Sequence, residues 1–164
     1  MRTRKYKHGM SLIEMLIVVA VIALLATMVI GVASRIDTQA KERGVESLFV
    51  LLDSALQEYR EFKDLFPEQT EKNYANAAVH SEYLYKELQS VPGAQKILEK
   101  IDASLAKNLY SAAGVPLAQT PPEIYDPWGT VLEYEYAAGD NFPRLLSAGP
   151  DKKFGTADDM NNRK

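Results

Sequence analysis

Between Gly9 and Arg35 the chain carries one ionisable side chain, Glu14. A carboxylate within an apolar run costs about 2.5–3.5 kcal/mol on membrane-insertion scales and usually has a partner and a function. Two partners are open to it. At the start of a helix it meets the positive end of the macrodipole. If the chain is cut after Gly9, Met10 gains a free ammonium four residues away, at ion-pair spacing on a helix. In an assembly the same carboxylate can meet the ammonium of a neighbouring copy. Both charges are then neutralised in an apolar core, where either alone is strongly unfavourable.

A second cluster lies near the C-terminus. Residues 147–160 read SAGPDKKFGTADDM, with Asp151, Asp158 and Asp159 close together and oxygens added by Ser147 and Thr156. Hard cations such as calcium take about six to eight oxygen ligands at flexible spacing. Nothing in the stretch is soft enough for zinc or copper. The EF-hand pattern is missing, since the early alternating acids and the closing glutamate are absent. By composition alone the segment reads as a solvated acidic tail, with a hard-cation loop as the alternative. Other chemistry is scarce. There is no cysteine, so disulfides, thiolate metal sites and cysteine nucleophiles are excluded. His8 and His80 are the only histidines, too few for a histidine metal site or triad, and His80 reads as a surface helix residue. A formal charge of −3 gives no basic footprint for nucleic acid. No set of convergent acid–base or nucleophilic groups stands out, so the expectation is a protein that is not an enzyme.

The elements that must position these residues differ sharply along the chain. Residues 1–9 hold four of the nineteen basic side chains and no acid, which leaves fifteen basic against twenty-two acidic beyond them, a charge of −7. Residues 15–33, MLIVVAVIALLATMVIGVA, are uncharged and have no polar face. At 1.5 Å per residue they span about 28 Å, close to a hydrocarbon core of about 30 Å. The basic leader keeps the N-terminus cytoplasmic and puts the rest outside. A cleavable secretory signal fits less well, because its apolar region is shorter. From Arg35 to Lys63, Val45, Leu48, Phe49, Leu52, Leu56, Tyr59 and Phe62 recur at steps of three and four, one stripe of an amphipathic helix. Phe66-Pro67 ends it. A helix from Ser11 to about Lys63 is about 80 Å long. In the middle, helices are predicted over 74–89, with Ala78, Tyr83, Leu84 and Leu88 inward, and over 94–112, followed by an extended linker at 119–123. At the C-terminus, Asp126-Pro127-Trp128-Gly129 is a turn, 130–137 and 143–147 are strands, and Trp128 is a packing anchor.

Gly9-Met10-Ser11-Leu12-Ile13-Glu14, after a basic leader and before an apolar run, resembles the signal of type IV pilins and pseudopilins. The resemblance implies that prepilin peptidase cuts after Gly9, that Met10 becomes the N-methylated first residue, and that Glu14 is the assembly carboxylate. Asp126-Pro127-Trp128-Gly129, the strand pair and the 147–159 segment are similar to the calcium loop of type II secretion major pseudopilins. Carried over by position, the resemblance makes Asp151 and Asp158 ligands, with Asp159 and Ser147 contributing, and Ca2+ the cofactor. The absence of cysteine fits a metal in place of the disulfide that staples many pilins. The implied fold is α+β and pilin-like: a long N-terminal helical spine, membrane-spanning in its first half, with a C-terminal head of short helices and a small antiparallel β-sheet. Its expected parts are the cleaved leader 1–9, the transmembrane and filament-core helix 10–34, the amphipathic continuation 35–66, a helical middle region 67–122, and the strands and calcium loop 123–164. The implied function is that of a filament subunit of a type II secretion pseudopilus, single-pass in the inner membrane with its head in the periplasm. Its partners are further copies in a helical homopolymer, prepilin peptidase, minor pseudopilins and the inner-membrane assembly platform, with no nucleic acid. The alternatives are a type IV pilin or minor pilin for adhesion, motility or DNA uptake, and a membrane-anchored calcium-binding envelope protein.

Overall fold

The computed structural model describes residues 11–110 and 116–163, with the side chains of residues 28–34 and 118 outside the description. The leader, the Gly9–Met10 bond and residues 111–115 therefore lie outside the described residues. The chain divides into two compact units, Met1–Gln39 and Ala40–Lys164. Helix α1 (Leu12–Lys63) contributes residues to both.

In the first unit every residue from Ser11 to Thr27 is exposed. Leu12 is 91% exposed, and Ile13, Leu16 and Val19 are all above 60%. Among the described residues, no helix is long and apolar enough to cross a membrane. The described apolar side chains, 12–27, cover about 24 Å of helix, short of a hydrocarbon core of about 30 Å. The remainder of the predicted apolar run, Met28 to Ala33, lies outside the described side chains.

In the second unit the predicted stripe is the core. Val45, Leu48, Phe49, Leu52, Ala55, Leu56 and Tyr59 are all buried. Gly44 extends the stripe because Pro127 packs close: a Cβ there would sit 3.1 Å from Pro127 Cγ. Phe62, predicted as part of the stripe, is 63% exposed. The last turn of α1 runs past the core, and Lys63 Nζ lies 5.9 Å from the Phe62 ring centroid. The helix ends at Lys63, where the sequence places its end, just ahead of Phe66-Pro67. Asp64 turns left-handed (φ 63°) and its N–H still donates to Arg60 O at 2.8 Å. Phe66 then turns inward, edge-on to Tyr136 and Phe142.

A single 3-10 turn, Tyr74–Asn76, leads into α2 (Ala77–Gln89), as the periodicity predicts. Leu84 and Leu88 are buried, whereas Ala78 and Tyr83 are only half-buried. The second predicted helix is far shorter than 94–112. It is α3 (Pro92–Leu98). Asp102 stops its continuation by accepting the Ser104 N–H at 2.7 Å in a local turn. The chain then extends as β1 (Ala106–Lys107), antiparallel to β2 (Glu123–Ile124) inside the predicted linker region. Leu109, counted as a core residue by spacing, is 65% exposed. Tertiary pairing overrides helical periodicity here, because Glu123 captures the Leu109 and Tyr110 N–H groups at 2.8 and 3.0 Å.

The C-terminal sheet has three antiparallel strands in the order β3 (Glu133–Glu135), β4 (Arg144–Ser147) and β5 (Met160–Asn161). The first two are the predicted pair, and β5 falls in a stretch read as loop. Tyr134 is fully buried, and its hydroxyl donates to Pro67 O at 2.6 Å, tying the sheet to the chain just beyond α1. Leu56→Ala should lower stability by about 2–5 kcal/mol, read as a shifted denaturant midpoint for the full chain in detergent. A loss below about 1 kcal/mol would contradict a core centred on this stripe.

Candidate functional site

Ser11 and Glu14 cap α1 reciprocally. The Ser11 N–H donates to Glu14 Oε2 at 2.9 Å, and the Ile13 N–H reaches Ser11 Oγ at 3.4 Å. This is the Ser-x-x-Glu capping box, which satisfies two otherwise orphaned N–H groups at once. The Ser-x-x-Glu spacing is readable in the sequence, beside the macrodipole and the Met10 ammonium expected as partners of Glu14. The carboxylate thus sits at the helix end that the Gly9–Met10 bond precedes, and that bond itself lies outside the described residues.

The C-terminal loop is folded by its own carboxylates. Asp158 Oδ2 accepts the Asp151 N–H at 3.0 Å, and Asp158 Oδ1 accepts the Thr156 hydroxyl at 2.6 Å. These donors hold the Asp158 carboxyl below the usual carboxylate range. Asp151 Oδ1 accepts the Lys153 N–H, and Asp159 Oδ2 accepts the Gly155 N–H, both at 2.8 Å. Gly149 (φ 65°) lets the backbone approach Asp158, since a Cβ there would lie 2.3 Å from the Asp158 carbonyl oxygen. Phe154 stacks on Tyr74 with ring centroids 4.9 Å apart.

The predicted ligands are only partly brought together. Asp151, Asp158 and Asp159 share the loop. Ser147 is fully buried and committed elsewhere: its hydroxyl donates to Asp126 Oδ2 at 2.7 Å and accepts the Gly149 N–H at 3.2 Å. Asp126 Oδ1 in turn accepts the Trp128 and Thr130 N–H groups at 3.0 and 2.8 Å, which makes the predicted turn. Burial raises the Asp126 carboxyl above its ordinary pKa despite these bonds. The loop's donor chemistry suits a hard cation, and Asp159 Oδ1 is buried without a hydrogen-bond partner. Among the described residues no three His, Cys, Asp or Glu side chains are grouped to hold a metal. Any cation here would need backbone carbonyls to complete its shell.

A second polar site was missed by the sequence reading. His80, predicted at the surface, is 4% exposed. Its Nδ1 lies 2.5 Å from Glu133 Oε1 and its Nε2 3.3 Å from Glu71 Oε2. Ser81 Oγ accepts the Ile124 N–H at 2.8 Å. The Glu82 pKa is raised, first by burial and then by the nearby Glu123 carboxylate. Glu133 is pushed up to about 7, chiefly by burial, against the opposing pull of His80. In the sequence Glu133 and Glu135 stand in a stretch that reads as a strand, and the structure packs α2 against that strand.

Residues 4–30 match the family model described as the prokaryotic N-terminal methylation motif. No curated protein and no solved structure matches the chain. The matched segment contains Gly9, Met10 and Glu14, and it carries the prepilin signal that implies cleavage by a prepilin peptidase and filament assembly. Over these 27 of 164 residues the chain is similar to the N-terminal signal of type IV pilin-like proteins, pilins and pseudopilins, and its α+β fold is built on a long N-terminal helix.

Proposed function

We propose that the protein is a structural filament subunit, and not an enzyme, serving as a major pseudopilin of a type II secretion pseudopilus. The observation that carries this reading is the exposed apolar surface of residues 12–27, interrupted by a single carboxylate at its start. An apolar surface that continuous requires lipid or copies of itself as cover. A bilayer covers it before assembly, with the head in the periplasm, and neighbouring subunits cover it in the filament. Growth of the filament from the inner-membrane platform, with minor pseudopilins, then moves folded cargo outward. The C-terminal loop favours this reading over an adhesive pilin. A cysteine-free segment of short strands needs a staple, and the loop supplies oxygen donors for calcium at Asp151, Asp158 and Asp159. Bound calcium would supply only cross-linking charge there. The protein's own Asp158 and Asp159 already fix the loop backbone through the Asp151 and Gly155 N–H groups. A pilin for adhesion, motility or DNA uptake is separated from this reading by gene neighbours, a retraction ATPase in place of a secretin.

Mass spectrometry of protein from cells should find an N-terminus at N-methylated Met10, and Gly9→Ala should accumulate the full-length precursor. A mature chain that still begins at Met1, or begins beyond Ala33, contradicts the reading. Glu14→Ala should insert normally into membranes yet form no filaments; abundant filaments from that variant would remove the charge-pairing role.

Calcium should raise the thermal midpoint of the full chain, by about 2.7 kcal/mol of stability at a hundredfold excess over Kd. Asp159→Ala should lose that response. Ser147→Ala should lose about 1–3 kcal/mol equally in calcium and in chelator, because it breaks a buried hydrogen bond and removes no ligand. Coincident melts of the unaltered protein in calcium and in chelator would eliminate the metal.

A further inference from the structure

Three consecutive residues of α2 turn polar side chains into the head. His80 reaches β3 through Glu133, Ser81 reaches the β2 backbone at Ile124, and Glu82 lies near Glu123 of β2. The first of these contacts cannot form without a proton. The Glu71 carboxylate is an acceptor, so His80 Nε2 must carry hydrogen to face it at 3.3 Å. The 2.5 Å contact between Nδ1 and Glu133 Oε1 then needs one more proton, on the ring or on the carboxyl. Without it, two lone pairs face each other. Beside them, Glu82 is buried near Glu123, which accepts the Leu109 and Tyr110 N–H groups and the Tyr125 hydroxyl.

We propose that α2 is latched by a proton: the His80–Glu133 pair holds one proton between α2 and β3, and its loss at rising pH releases α2 from β3. Glu133 Oε2 is buried with no hydrogen-bond partner. Loss of the shared proton therefore leaves a buried carboxylate facing the ring's lone pair, with a charge that His80 no longer offsets. The charged and titratable groups facing Glu133 are His80 from α2, Glu71 from the segment before it, and Glu135 on its own strand. Arg144 of β4 is paired with Glu135 at 3.4 Å. Glu82 faces Glu123 and Tyr125, whose hydroxyl is pushed up to about 12 by burial first and then by Glu123. Glu133 titrates above its ordinary 4.5, at about 7, chiefly through burial, and burial raises Glu82 in the same direction. At Glu133 the native state thus holds a proton that the unfolded chain releases at lower pH. The stability it gives is complete below about pH 4.5 and is lost as pH rises through about 7. Burial also raises Asp53 and Asp126, which act in the same direction but lie outside α2.

Hydrogen exchange of the full chain in detergent tests this, as protection factors corrected for intrinsic rates between about pH 6 and about pH 8.5. Protection in α2, at Leu84 and Leu88, should fall about tenfold or more relative to α1 at Leu52 and Leu56. In the Glu82→Gln/Glu133→Gln double variant, whose amides donate permanently, the ratio should stay within about twofold. An α2-to-α1 ratio that is constant with pH in the unaltered protein overturns the latch, as does a double variant that falls equally. If the double variant does not fold, nitrogen-15 histidine spectra of the unaltered chain decide, with His80 assigned by His80→Gln. A change at Nδ1 in the same pH window as the loss of α2 protection supports the latch, and a flat His80 titration overturns it.

Discussion

The buried strip of α1 from Val45 to Tyr59 is the surface on which the second unit folds. Val45, Leu52, Ala55 and Leu56 have no exposure at all. The elements laid against this core are short. The strands run from two to four residues and α3 has seven. Sheets of that size are not stable alone and need a helix to pack on. Each buried leucine on the strip removes enough apolar surface from water to stabilise the head by about 1.5–3 kcal/mol. Tyr134 and Phe66 show how the rest is attached. Both bury an aromatic ring in the same core, and the Tyr134 hydroxyl is satisfied by the Pro67 carbonyl.

That strip offers α2 the Tyr59 hydroxyl, which donates to Glu87 Oε2 at 2.7 Å, and leaves His80, Ser81 and Glu82 to other partners. Their consecutive positions have a geometric effect. His80, Ser81 and Glu82 project about 100° apart around the helix, a consequence of 3.6 residues per turn. They engage Glu133, the Ile124 backbone and Glu123 respectively. A rotation of α2 about its axis would break all three contacts together. Apolar side chains of equal volume would pack with comparable or greater stability, since buried polar pairs gain little over hydrophobic replacements. What the polar layer adds is a fixed rotation of α2 on two separate strands.

The parts legible in the sequence are those where one local signal dominates. The α1 stripe, the Asp126 turn and the first two strands of the sheet follow from periodicity and turn chemistry, with no long-range information. The failures share a cause. Residues 94–112 have helical spacing at Ile97, Leu98, Ile101, Leu105 and Leu109, yet the buried carboxylate of Glu123, fourteen positions beyond Leu109, captures the backbone. The same kind of distance hid the burial of His80, whose partner Glu133 is fifty-three residues away. The burial of Glu133 and Glu135 was hidden in the same way, since the strand is legible by composition but the packing of α2 on it is not. In the C-terminal loop the carboxylates were found, but Ser147 could be assigned to Asp126 only once the turn and β4 were seen side by side.

The capping box at Ser11 and Glu14 also bears on how a filament signal of this type operates. Glu14 Oε2 is held by the Ser11 N–H, at the positive end of the α1 dipole. A cut after Gly9 places a second positive charge on the residue next to Ser11. Cap, dipole and ammonium then all draw one carboxylate toward the N-terminal end of the helix. A neighbouring subunit that presents its own ammonium must compete with these internal attractions. It can succeed where water is excluded, because an opposite charge is worth several times more in an apolar surrounding than in water. On the proposed reading, the cap would keep Glu14 oriented before assembly, and the exposed apolar side chains of 12–27 would provide the dry surroundings in which an intermolecular pair outweighs the internal one. On that reading the carboxylate and the apolar surface are two parts of one device, since neither would select a partner without the other.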